Sequence, residues 1–106
     1  MNSEDMAKLL ADVKNQLDIT WDDPATDRKC LELIASGMRY LNDKAGAQLD
    51  YLDPGSDGRT LLFEYVRYAR DKALDVFENN YRSLILAMQS RRRALFYAED
   101  AVSAGQ

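Results

Sequence analysis

The chain has no histidine, one cysteine, two prolines and no excess of positive charge, and each shortage closes off a class of protein. Without histidine there is no ready general base near neutral pH, no imidazole for zinc, and no Ser-His or Cys-His nucleophile pair. The expectation is therefore no enzyme, no cofactor and no metal ion. The single thiol, Cys30, cannot close an intramolecular disulfide, so nothing calls for an oxidising compartment. No charged-then-apolar segment opens the chain, which points to synthesis in the cytoplasm. The longest apolar run, "LILAM", falls far short of the roughly 20 residues that cross a bilayer, so a soluble protein without membrane contact is expected.

What is present is a 106-residue chain with a polarised charge distribution. Its length suits one domain, here residues 1–106, with a modest core whose apolar surface leans on partners. Residues 1–58 hold 6 basic and 12 acidic side chains, a net of -6, and residues 59–106 hold 8 and 6, a net of +2. That balance argues against a surface that grips DNA all round and leaves room for a basic patch near the C-terminus.

Hydrophobic spacing predicts an all-α domain, a small bundle of about four helices with a short Gly/Pro turn between the second and third. The first helix follows Ser3 as N-cap, with Met6, Leu9, Leu10, Val13 and Leu17 on one stripe. The second starts at Pro24 behind Asp23, carries Cys30, Leu31, Ile34, Met38, Leu41 and Ala45 on one face, and ends at Gly46. Cys30 on that face reads as a small buried hydrophobe. Gly37 shares the face, where its use is the close approach of another backbone.

The third helix is expected from about Arg59 to Tyr81, with two apolar stripes. Leu62, Tyr65, Ala69, Ala73 and Val76 form one. Phe63, Leu74, Phe77 and Tyr81 form the other, with Arg67 and Arg70 in its gaps. So small a domain rarely buries a helix all round, so the second stripe, Phe63, Arg67, Arg70, Leu74, Phe77 and Tyr81, is the expected subunit interface. Six tyrosines and one tryptophan point the same way, since both residue types suit interfaces. Trp21, in the connector, is expected to staple onto the core.

The fourth helix is expected from about Ser83, with Leu84, Ile85, Met88, Leu95 and Phe96 aligned and Arg91, Arg92 and Arg93 interrupting the stripe. Either the stem of Arg92 lies over the core or this half of the helix leaves the domain. Three adjacent arginines spread over about 200° of a helix cannot all face one groove of DNA. Residues 98–106 read as a flexible tail.

"DPGSDGRTLLFE", residues 53–64, nearly matches a calcium-binding loop, with Asp53, Asp57, Gly58 and Glu64 at required positions. Gly55 at position three offers no ligand oxygen, and Leu61 occupies position nine. A turn is the expected reading, with Ser56 or Asp57 capping the third helix.

Across residues 13–90 the ordered pieces "TWDD", Thr26 with Asp27, "YLNDKAG" at Tyr40 to Gly46, "LDY" at Leu49 to Tyr51, Leu61 with Leu62, "YVRYAR" at Tyr65 to Arg70, and "FENNY" at Phe77 to Tyr81 resemble the tailed-phage (siphophage-type) head-tail connector, adaptor or head-completion family. The resemblance implies a structural virion protein without enzymatic activity. Copies would form a dodecameric ring below the portal protein, extend the DNA channel and present a surface for the stopper or tail-completion protein. Genomic DNA would pass without sequence-specific contact. The place of action would be the virion's head-tail interface, after assembly in the host cytoplasm. Arg91, Arg92, Arg93, Leu95 and Phe96 become the candidates for portal docking or channel contact. The competing reading is a small helix-turn-helix DNA-binding protein, such as a phage regulator or terminase small subunit.

Overall fold

A computed structural model of the chain describes residues 1–104, with side chains through residue 95. It is all-α: α1 (Ser3–Gln16), α2 (Pro24–Ala45), α3 (Asp57–Arg70) and α4 (Leu74–Ala104), with no strand among the described residues. α2 and α3 each pack against all three other helices, and their mutual contact is the centre of the bundle.

Capping explains where the first two helices begin. α1 starts one residue earlier than the sequence suggests, because Asn2 and not Ser3 caps it, its Oδ1 accepting the Asp5 N–H at 2.8 Å. At α2 the Asp23 carboxylate accepts from the Thr26 hydroxyl at 2.8 Å and the Ala25 N–H at 3.3 Å, and these bonds hold its carboxyl below the ordinary range. Lys14 ties the two helices together through Asp27 at 2.7 Å, and that bond pushes its ammonium above the usual value. Leu9 and Val13 from α1 meet Ile34 and Leu41 from α2 in the core.

Two glycines are fixed by what lies against them. A Cβ on Gly37 would stand 2.7 Å from Leu62 Cδ1 and 2.8 Å from Tyr65 Cδ1, so Gly37 admits side chains of α3, not a backbone as expected. On Gly58 it would stand 2.9 Å from the Asp50 carbonyl oxygen, which brings the α2–α3 connector down onto the start of α3. Neither Gly55 nor Gly58 has positive φ. The near-calcium loop is a capped turn. Ser56 donates its N–H to the Asp53 carbonyl at 2.9 Å, Asp53 accepts from the Gly55 N–H at 3.0 Å, and Ser56 Oγ accepts the Gly58 N–H at 3.1 Å. Asp57 faces Arg91.

The expected helix from Arg59 to Tyr81 is in fact two. The chain leaves α3 at Asp71, Lys72 takes a left-handed φ of 58°, and Ala73 donates its N–H back to the Tyr68 carbonyl at 2.8 Å while Lys72 donates to Ala69 at 3.0 Å. This is the Schellman closure, with lysine where glycine is usual. α1 ends the same way, with Asp18 at φ 59° and Ile19 donating to Lys14 at 2.9 Å.

The reversal has an aromatic cause. In one continuous helix Phe77 would sit about 18 Å along the axis from Tyr65. Here their ring centroids are 5.7 Å apart, and Phe77, with no exposed surface, also lies against Tyr40, Tyr68 and Tyr81. Burying the phenyl group stabilises by about 1.5–3 kcal/mol, with about 0.5–1.5 kcal/mol more for a well-placed ring pair. The left-handed lysine costs about 1–2 kcal/mol, so the turn is more than offset.

Lys72→Gly is therefore expected to raise unfolding free energy by about 1 kcal/mol in urea titrations. A continuous helix would respond with the opposite sign, losing about 1 kcal/mol.

Candidate assembly surface

The residues expected to form one interface stripe are divided between two antiparallel neighbours, and their environments differ. Phe77 is wholly inside, and Tyr81 is half-buried and stacked on it at 5.2 Å. Phe63 is half-buried beneath the guanidinium of Arg59 at 4.6 Å. Arg67 is exposed and pairs with Glu64 at 3.5 Å, Arg70 is exposed beside Thr26, Lys29, Cys30 and Leu33, and Leu74 opens α4 at the surface. The six residues therefore do not form one continuous surface stripe: Phe77 lies in the core with Tyr81 against it, while Arg67, Arg70 and Leu74 stay exposed. The physical reason is the turn at residues 71–73, which folds the stripe's second half back onto α2 and α3.

The five tyrosines whose side chains are described are likewise turned inward. Tyr40, Tyr65, Tyr68 and Tyr81 surround Phe77, and Tyr51 is buried with its hydroxyl 2.6 Å from Asn42 Oδ1 and 3.1 Å from the Met38 carbonyl oxygen. Trp21 is the reverse case. Expected as a staple, it stands 49% exposed, because the tight α1 ending delivers Ile19 to the core and leaves Trp21 outside.

The C-terminal candidates sit where α4 outgrows the bundle. Phe77, Ile85 and Met88 are buried along one face of α4, and about seven residues on, two helical turns after Met88, Leu95 continues that face while 57% exposed. Before that point α4 is pinned: Gln89 donates to the Lys44 carbonyl at 2.9 Å at the end of α2, and Arg91 pairs with Asp57 at the start of α3. Arg92 is half-buried against residues 43–47, so its stem does lie along the body, while Arg93 is exposed. Phe96 and the expected tail, residues 98–106, fall outside the residues whose side chains are described.

Between α2 and α4 runs an open groove of about 420 Å³ lined by Tyr40, Lys44, Glu78, Arg82, Ile85, Leu86 and Gln89. It continues past Lys44 and Gln89 to Arg92 and Arg93. Tyr40 shapes its floor, donating its hydroxyl to Glu78 at 2.9 Å while the Lys44 ammonium lies 5.4 Å from its ring centre. Burial, then Glu78, push the Tyr40 hydroxyl up to about 12. Leu86 escaped notice in the sequence because "LILAM" reads as one apolar block; only the register set by Phe77 turns Leu86 outward while Ile85 and Met88 face in.

Among the described residues no three acids or cysteines converge to hold a metal ion. No family model, curated protein or solved structure matches the chain.

Tyr40 and Tyr51 both keep their protons in the folded state to about 12, against an ordinary 10.0. The folded form then binds more protons than the unfolded one between those values, so stability is full below 10.0 and falls as pH rises through about 12. Urea titrations across that window should show the fall. In an ultraviolet titration Glu78→Gln should bring the Tyr40 midpoint down without restoring it to the ordinary value, since burial is the larger cause.

Proposed function

We propose that this protein is a structural subunit of a tailed-phage head-tail connector, assembling into a ring below the portal, extending the DNA channel and offering its far side to a stopper or tail-completion protein. The resemblance of residues 13–90 to that family supports the reading, and one structural observation carries it. α4 is 31 residues long, and beyond Met88, past the arginines that interrupt the stripe, its core-facing side presents Leu95, which is 57% exposed. A helix that extends its core-facing stripe beyond its own core presents a docking segment, and Arg92 and Arg93 give that segment a basic flank.

The division of charge suits a channel component. An acidic half and a mildly basic half guide a duplex without the many phosphate contacts that would hold it fast. In this reading the protein acts by geometry and self-association, performs no chemistry, and works at the head-tail interface of the virion.

The helix-turn-helix alternative draws on the three-residue turn between α3 and α4, the spacing that motif uses. Its recognition helix would be α4, whose opening turn exposes Asp75, Glu78 and Asn79. Carboxylates there would repel the phosphates that a recognition helix must approach, so the connector reading stands first.

Electron microscopy of the purified protein mixed with its cognate portal protein should reveal closed rings seated on the portal. Leu95→Asp, an exposed position where stability should change by less than about 0.5 kcal/mol, should abolish seating. A wild-type chain that never binds portal, and instead shifts short duplex DNA in a salt-dependent way lost on replacing Arg91, Arg92 and Arg93, would favour the DNA-binding reading.

A further inference from the structure

Two surface features of this chain are complementary and cannot meet within one copy. The first is Trp21, 49% exposed in a stretch, residues 18–27, that holds four aspartates and no basic residue. Asp22, next to it, has a fully exposed side chain, and Asp18 is exposed at the left-handed end of α1. Lys14 reaches Asp27 at 2.7 Å and Asp22 at 3.5 Å and Asp23 caps α2, so four carboxylates face one ammonium and the patch stays net acidic; the half-exposed indole within that stretch is an anchor without a socket.

The second feature is the α2/α4 groove. Its floor is apolar, built from Tyr40, Ile85 and Leu86, the last 55% exposed, and its rim carries Lys44 and Arg82, with Arg92, Arg93 and one acid, Asp43, adjoining, a net positive margin. Its one acid, Glu78, is engaged by the Tyr40 hydroxyl. The volume, about 420 Å³, lies within the range that encloses a ring system. An apolar floor inside a basic rim matches an apolar knob inside an acidic collar.

α2 keeps the two apart. Trp21 precedes its first residue, Pro24, and Tyr40 lies sixteen residues farther along, about 24 Å at the rise of an α-helix. The side chain cannot span that distance, so knob and groove meet only between copies. We infer that Trp21 of one copy seats in the α2/α4 groove of the next, joining copies head to tail.

Such a contact uses two different patches of the same chain, and a heterologous contact of this kind closes into a ring when its rotation permits. Tryptophan is the residue type most often dominant at the centre of an interface, and the rim charges fix orientation and speed encounter. The inference rests on the ring-subunit reading and names the contact that builds the ring.

Two surface variants test it by complementation. Trp21→Ala removes the knob and leaves the groove; Leu86→Glu spoils the groove and leaves the knob. Both should keep the wild-type circular dichroism and melting temperature. In sedimentation, alone and with portal, the wild type should associate and each variant alone should do so about 30-fold more weakly or worse. An equimolar mixture should form a dimer, through its one intact knob and one intact groove, that does not grow. Trp21 is the only tryptophan, so its emission should move to the blue as wild type assembles, and in Leu86→Glu only once Trp21→Ala is added. Wild-type rings indifferent to both substitutions, or a mixture that stays monomeric, would overturn this contact and leave the ring reading standing. A wild type that is monomeric both alone and with portal would overturn both.

Discussion

The burial of Phe77 among four tyrosines is the interaction on which the rest of the molecule depends. Its ring touches Tyr40 on α2, Tyr65 and Tyr68 on α3, and Tyr81 on its own helix, so a single side chain joins three of the four helices. It also sets the rotation of α4. With Phe77 inward, Ile85 and Met88 must face in and Leu86 must face out. The groove, the uncovered end of α4 and the ion pair from Arg91 to Asp57 all follow from that register.

The same burial decides where the chain turns. Residues 71–73 contain neither glycine nor proline, and Lys72 and Ala73 favour a helix interior by propensity. Nothing local stops the helix. A tertiary gain of several kcal/mol from enclosing Phe77 outweighs a left-handed lysine, and that gain is visible only once Tyr65 and Phe77 are brought together.

This explains what could be read from the sequence. α2 was legible from end to end, because Asp23, Pro24 and Gly46 mark its limits by local chemistry and Ile34 and Leu41 mark its face. The turn at residues 53–56 was legible for the same reason. The all-α class followed from periodicity. The α3–α4 break was not legible, and that one error propagated: it made Phe63, Leu74, Phe77 and Tyr81 look like an outward stripe, and it made the tyrosines look like surplus. Trp21 was misread in the opposite direction, since an apolar residue in a connector is expected to fold down, yet Ile19 takes that place. Of the C-terminal candidates, Arg93 and Leu95 are exposed as a docking segment requires, whereas Arg91 is engaged by Asp57.

A bundle fixed by an internal aromatic lock leaves its two ends free to differ, one acidic around Trp21 and one basic around the α2/α4 groove. Native-state hydrogen exchange of the isolated protein tests this lock most directly. Amides of α4 from Phe77 to Met88 should exchange only through global unfolding, those of residues 74–76, the first-turn amides of α4, should mark a break in protection, and those of residues 91–95 should exchange faster. Unbroken protection from Arg59 through Tyr81, or early exchange at Phe77, would contradict the account.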